Sequence, residues 1–371
     1  MVPEEATNSK EIHKLFRLMH KYGASDLHLK AGSSPVFRIS GALRNLELPP
    51  LNDSQVRKLL YDILTDEQIR TFEQAGDLDF AYSVDPETRL RINAYHQRGC
   101  VSVAARRVNV VIPTFEELNL PIETMQRISS LQQGMVIVAG VTGSGKSTTL
   151  AAMIEHINAT RRCHIVTIED PIEYLYRDKR ALINQREVGI DVRSFREALR
   201  YVVRQDPDVI LLGEMRDTET VQAGLSAAET GHLVFGTLHS STAAQTFSRL
   251  LEFFPPDDQQ RVRTSLQFNL KAIICQKLLP SVKPGVGRVP AVEIMLVTPH
   301  ISKLIELGQE EHITEALQAG REQGMMDFNT SLFELIRGGF ITRDVALAAS
   351  PNPQALDAML KGVFVKASTI R

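Results

Sequence analysis

The sequence predicts a two-part α/β chain, an amino-terminal α+β module followed by a unit with a mainly parallel, doubly wound sheet. Three observations lead there. Before residue 110, short alternating segments accompany a few helices, the pattern of an antiparallel sheet with helices to one side. After residue 134, four apolar β-type runs (135–139, 165–168, 209–212 and 233–238) alternate with helical segments, as buried parallel strands do. Between the first of those runs and the helix after it stands Gly140-Val141-Thr142-Gly143-Ser144-Gly145-Lys146-Ser147.

That stretch fits G-x-x-x-x-G-K-[ST], a loop whose backbone N–H groups wrap the phosphates of a nucleotide at a helix N-terminus. Gly140, Gly143 and Gly145 let the backbone approach the phosphates, while Thr142, Ser144 and Thr148 complete the expected cradle. Lys146 supplies a charge for the β- and γ-phosphates, and Ser147 a hydroxyl for Mg²⁺. The residues thus imply a nucleoside triphosphate with Mg²⁺.

The composition sets outer bounds. With 371 residues and 43% hydrophobic content, the chain fills two or three compact cores. A net charge of -2 and the absence of Trp argue against a nucleic-acid translocase, which needs a basic lane or stacking platform. Cys100, Cys163 and Cys275 are too far apart for a cysteine zinc ribbon and fit a reducing compartment. Residues 1–10 are polar and lack the apolar stretch of a secretory signal, and no apolar run reaches the ~20 residues that cross a bilayer.

Taken in order, residues 11–22 carry Ile12, Leu15, Phe16 and Met19 at helical spacing, with Gly23 as the stop. Residues 25–29 alternate, and residues 36–43 read as a hairpin turning at Ser40-Gly41. A helix starts near Asn52 or Asp53, and another at Thr65, with Gln68 completing a capping box. Residues 78–82, 89–95 and 101–108 complete the sheet. Of the arginines near its end, Arg91 and Arg106 are the arginine-finger candidates. A proline-bounded stretch from Pro113 to Pro121 reads as a linker. The expected boundaries are 1–112 for the first domain, 113–124 for the linker and 125–371 for the ATPase domain.

In doubly wound sheets the chemistry gathers at the carboxyl ends of the strands. Glu214, after Gly213, is the expected carboxylate for Mg²⁺, bound directly or through water, or for orienting the attacking water. Glu173 is the second carboxylate candidate. His232 and His239 bracket the run 233–238, and both are expected at the active edge, where they would sense the γ-phosphate. No third or fourth ligand stands at zinc spacing beside them.

The ordered set of motifs resembles the PilT family of type IV pilus motors, within the secretion ATPases that include PilU, PilB and the type II secretion motors. The residues concerned are 140–149, 168–173 (from Ile168 to Glu173), 185–189, 204–208, 213–217 and 228–239, with further similarity in 25–29 and 324–346. The resemblance implies a PAS-like amino-terminal domain, a RecA-like ATPase domain that makes ATP the expected nucleotide, and a homo-hexamer peripheral to the cytoplasmic face of the inner membrane. It places Glu173 in an aspartate-rich box, Glu214 in the Walker B position, and His232 and His239 in a His box, with N-terminal arginines helping to bind nucleotide. A pilus inner-membrane platform protein is the implied partner, with a paralogous retraction motor as a second. Without an extra N-terminal domain or a four-cysteine module, the chain resembles retraction motors more than extension motors. It departs at Val141, where the family has proline, and at residues 300–307, where basic positions of a retraction-associated motif are replaced. Residues 269–273 resemble PilU as closely as PilT. The expected function is therefore ATP-driven pilus retraction. The alternatives are an accessory PilU-like motor and an ATP-binding regulator of another motor.

Overall fold

A computed structural model describes residues 10–39, 41–85 and 88–362. The described residues form two compact units, the first comprising those up to Val111 with Glu173–Leu175, and the second those from Ile112 to Ile172 and from Tyr176 onward.

The first unit runs α1 (Glu11–Lys21), β1 (Ala24–Lys30), β2 (Val36–Ile39), β3 (Ala42–Asn45), α2 (Asp53–Tyr61), α3 (Asp66–Ala75), β4 (Asp77–Asp85), β5 (Thr88–Gln97) and β6 (Cys100–Arg107). Its sheet has the order β3-β2-β1-β6-β5-β4, with every pairing antiparallel. The helices start where local chemistry demands. Asn52 Oδ1 accepts from Gln55 N at 2.9 Å while Gln55 Oε1 accepts from Asn52 N at 2.8 Å, and Thr65 with Gln68 repeats the reciprocal pair. Ile12, Phe16 and Met19 of α1 bury against Phe37, Phe72 and Ile92 in one core. Ile39 pairs with Ala42 as a hairpin requires, and Gly41 takes φ +84°; Ser40, the other expected turn residue, lies outside the described residues.

The second unit comprises α4 (Ile122–Ser129), β7 (Gly134–Ala139), α5 (Lys146–Thr160), β8 (His164–Glu169), β9 (Leu182–Glu187), α6 (Phe195–Val202), β10 (Val209–Leu212), α7 (Thr218–Glu229), β11 (Leu233–Leu238), α8 (Ala243–Glu252), α9 (Pro256–Asn269), β12 (Leu270–Pro280) and β13 (Arg288–Leu296). The helices α10 (Pro299–Leu307), α11 (Ile313–Ala319), α12 (Phe328–Arg337), α13 (Arg343–Ala349) and α14 (Pro353–Leu360) close it. The sheet order is β13-β12-β7-β11-β10-β8-β9, parallel except for β12–β13. Every residue of β7, β10 and β11 is buried, so these strands read as continuous apolar runs.

Two regions differ from expectation. The stretch 113–121 is not a free tether. Phe115 and Leu120 are buried in the core of the second unit, and α4 begins at Ile122. The sheet also has more strands than the four apolar runs suggest. Edge strand β9 is mostly polar and gives no apolar run, and β12–β13 form a hairpin outside the βα alternation. The cysteines divide by unit. Cys100 in β6 and Cys163 before β8 are half-buried, whereas Cys275 in β12 is buried, and burial pushes its thiol far above the ordinary range.

Candidate active site

The site begins with the loop that leaves β7. Gly140 has φ +152°, and a Cβ built there would lie 2.4 Å from Ser144 Oγ and 2.6 Å from the Gln276 carbonyl oxygen. Only glycine fits so close a passage. Gly145, at φ +93°, turns the chain into α5, whose first residues are Lys146 and Ser147. Lys146 is 9% exposed, and its ammonium donates to the carbonyls of Gly140 at 2.8 Å and Val141 at 3.2 Å, so its charge is held within the loop. Thr142 and Gly143 are exposed at the tip, while Ser147 and Thr148 are half-buried on the first turn of α5. Ser144 is buried, and its Oγ is left without a hydrogen-bond partner, an unusual state for a buried hydroxyl and one a phosphate oxygen would relieve.

Glu214 stands just past β10, two strands from β7. The register aligns Leu212 with Ile168, and Gly213 N donates to the Ile168 carbonyl at 2.8 Å. Thr237 Oγ1 donates to the Gly213 carbonyl at 2.6 Å, which fixes the peptide before Glu214 from the β11 side. The Glu214 carboxylate then receives Arg216 Nη2 at 2.7 Å and faces His239 Nε2 at 3.2 Å. The Arg216 hydrogen bond, opposed by burial and helped by the charges of Arg216, His239 and Lys146, holds this carboxyl below its usual range. Glu214 is therefore an ionised acceptor at neutral pH, able to orient a water or to ligate a hard cation. For Mg²⁺ the chain offers oxygen donors of the right kind in Ser147 and Glu214. Among the described residues no group of three His, Cys, Asp or Glu side chains forms a metal site by itself.

The sequence placed other residues less well. His239 follows β11 at the carboxyl edge, as expected, but His232 is at the strand's opposite end. Its carbonyl accepts from Gly134 N at the start of β7, and its Nδ1 lies 2.8 Å from the Ala227 carbonyl. The six residues of β11 separate the two histidines by ~20 Å, so one chain's active edge holds His239 alone. Glu173 groups with the first unit, where its carbonyl accepts from Asn109 N at 3.2 Å. The carboxylate that does end the strand beside Glu214 is Glu169. It is 8% exposed and accepts from Thr167 Oγ1 at 2.6 Å and Gln185 Nε2 at 3.2 Å. Gln276 was also missed. It is 2% exposed, its Oε1 has no hydrogen-bond partner, and its Nε2 would lie 4.0 Å from a Cβ at Gly145. Only the pairing of β12 with β7 brings it under the loop, and nothing local announces that.

The two arginine candidates face each other in register on β5 and β6. Arg91 is exposed and forms no ion pair among the described residues. Arg106 instead donates from Nε to Asp26 Oδ1 at 2.7 Å. Burial alone would raise the Asp26 carboxyl, but the hydrogen bonds from Arg106 and Ser25 and the Arg106 charge outweigh it and hold the pKa below normal. Such a group stabilises the fold above its unfolded pKa, near 3.9, and the contribution is lost as pH falls through the lowered folded value. Asp26→Asn is expected to destabilise the protein by about 1–2 kcal/mol at pH 7. Denaturant unfolding at pH 7 and pH 3 checks this, and the wild-type advantage should shrink at the lower pH.

Comparison with known proteins agrees with this architecture. Residues 3–345 match the family model described as Type II/IV secretion system protein. The type IV pilus retraction ATPase PilT of Pseudomonas aeruginosa is 44% identical over 344 residues, covering 93% of this chain and 99% of that protein. The type IV pilus ATPase PilU of the same organism is 40% identical over 351 residues, or 95% and 91% of the two chains. A crystal structure of the pilus retraction motor PilT with bound ADP superposes with a TM-score of 0.86 at 42% identity, covering 95% of this chain and all of that one.

Proposed function

The chain belongs to the type II/IV secretion system protein family, and from that premise we propose how it works as a PilT-like ATPase that powers type IV pilus retraction. The observation that carries the mechanism is the ionised Glu214 at the carboxyl edge of β10, in hydrogen-bond reach of His239 and within the influence of the Lys146 charge.

ATP is the substrate, with its phosphates against the backbone of residues 140–145 and the first turn of α5. Lys146 leaves the carbonyls of Gly140 and Val141 to meet the β- and γ-phosphates, and Ser144 and Thr148 donate to phosphate oxygens. Mg²⁺, held by Ser147 and directly or through water by Glu214, would offset charge on the phosphoryl oxygens. Glu214 orients a water molecule whose oxygen attacks the γ-phosphorus as the bond to the bridging oxygen breaks, so that ADP and phosphate leave. His239, bonded to the same carboxylate, reports loss of the γ-phosphate to the segment that follows β11. Arg91, with its guanidinium unpaired among the described residues, is the arginine finger we retain. For Glu173 and His232 we keep the family roles in the aspartate-rich box and the His box, with His232 acting outside its own chain's active edge.

In the cell we place the protein in the cytoplasm, peripheral to the inner membrane, as a homo-hexamer acting on the pilus platform protein. No helix among the described residues is long and apolar enough to cross a membrane. A paralogous retraction motor is a second proposed partner, because PilU is nearly as similar as PilT.

Deleting the gene in its own organism tests the direction of work. The expected strain is non-twitching and carries excess surface pili, because extension continues without retraction. A strain with no pili would mean that the protein drives assembly. Normal pili and normal twitching would leave it an accessory role only.

A further inference from the structure

Glu293 on β13 is 4% exposed, yet it is ionisable and belongs to no part of the nucleotide site. Two helices begin at its carboxylate. Ala243 N, the first amide of α8, donates to Glu293 Oε1 at 2.7 Å, and Phe328 N, the first amide of α12, also donates to this side chain. Those amides belong to the groups a helix cannot satisfy internally, and both lie at the positive ends of helix dipoles. One buried carboxylate thus anchors the starts of both helices.

The first of these helices adjoins the chemistry. α8 starts four residues after His239, which faces Glu214. Ser240 Oγ lies 2.7 Å from Thr246 Oγ1 on α8, Thr246 Oγ1 donates to the Thr242 carbonyl at 2.7 Å, and Thr246 also reaches Cys275 Sγ at 3.4 Å. Residues 240–242 are therefore a short strap, with one end at His239 and the other fixed on Glu293. We propose that Glu293 is a positioning residue for ATP hydrolysis, setting through α8 the place of His239 against Glu214. This rests on the reading of Glu214 and His239 given above.

The charges around Glu293 shape how it acts. From β12 it faces Lys277 and its cross-strand neighbour Cys275, and from the start of α12 it faces Asp327, which is itself beside Arg321. Burial dominates and, with the Asp327 charge, pushes the carboxyl up to about 7, against the two amides and Lys277, which lower it. The ionised form accepts from both amides, whereas a protonated carboxyl keeps one good acceptor oxygen. Stability runs the other way. A raised carboxyl pKa contributes stability fully below its unfolded value, near 4.3, and that contribution is lost as pH rises through about 7. Turnover and stability should therefore respond to Glu293 ionisation in opposite directions.

The test is Glu293→Gln in the full chain, with kcat and KM for ATP measured from pH 6 to pH 8.5 alongside thermal melts. The expected variant has kcat reduced about tenfold at pH 8, KM within twofold of wild type, and a flat wild-type-to-variant ratio nowhere between pH 6 and pH 8, because the wild type alone gains rate through about pH 7. Its melting temperature should rise at pH 8 and match wild type at pH 5. Unchanged kcat, or a loss of kcat accompanied by a lower melting temperature at pH 8 and an unaltered pH profile, overturns the proposal. Should this variant not fold, Lys277→Met removes a charge that lowers the Glu293 pKa, and the rise in kcat should move to higher pH; no movement again overturns it. Glu214→Gln separates the two readings. If that variant hydrolyses ATP normally, the underlying site assignment has failed; if it is inactive while Glu293→Gln is normal, only the positioning role has.

Discussion

Glu214→Gln is expected to bind ATP with near-native affinity and to lose turnover by about 10²–10⁴-fold. The carboxamide matches the carboxylate in shape and can still accept Arg216 Nη2, which now reaches Glu214 at 2.7 Å. What it lacks is the negative charge that Arg216, His239 and Lys146 keep in place. A neutral amide neither takes up a proton from the attacking water nor opposes the charge of a hard cation, so the loss falls on the chemical step rather than on binding. Steady-state hydrolysis together with a fluorescent-nucleotide titration measures both. Wild-type turnover in this variant would remove Glu214 from the mechanism, and a loss confined to affinity would make it a binding residue only.

The second large effect is expected at Gly140. A methyl group there would press on Ser144 Oγ at 2.4 Å and on a backbone carbonyl of β12 at 2.6 Å, at a φ of +152° that side chains rarely adopt. Neither neighbour yields easily, since Ser144 is buried in the loop and the carbonyl belongs to a sheet. Overpacking and backbone strain each contribute about 1–3 kcal/mol. The loop is displaced from the geometry its amides need, and Gly140→Ala should weaken ADP binding by about 10²-fold or more. Gly143→Ala is the matched control. Its Cβ meets nothing within 4 Å, so only the cost of φ +78° remains, about 1–2 kcal/mol. Calorimetric titration of ADP into both variants checks the contrast, and native affinity in Gly140→Ala would show that the loop tolerates the methyl group.

How far the sequence could be read follows from how far each signal extends along the chain. The phosphate loop and the Thr65–Gln68 capping box are each complete within eight residues, so residues 140–147 and Thr65 were legible, whereas the Asn52 cap, resting on the same kind of reciprocal bond with Gln55, was placed only to within one residue. The place of Glu214 at the carboxyl edge was legible because a single residue separates it from a buried apolar run. His232 was misplaced because a parallel strand sends its two flanking residues to opposite edges of the sheet, and the bracketing pattern is blind to that. Glu173 lies four residues beyond the end of β8, far enough for the chain to leave the edge, so that the Glu173 carbonyl accepts from Asn109 N instead. Glu169, Gln276 and Glu293 were not read as functional, since what distinguishes each is the strand or helix packed beside it. Sheet order β12-β7 and the meeting of two helix starts are properties of the folded chain.

The distribution of thiols offers a practical handle on conformational change. Since Cys275 is sealed in the sheet, maleimide dyes have two partly accessible targets, Cys100 in one unit and Cys163 in the other. A donor and an acceptor fluorophore can be attached to the native sequence, without engineered sites. Energy transfer between them during nucleotide turnover would then report directly, molecule by molecule, whether the two halves change separation as fuel is consumed.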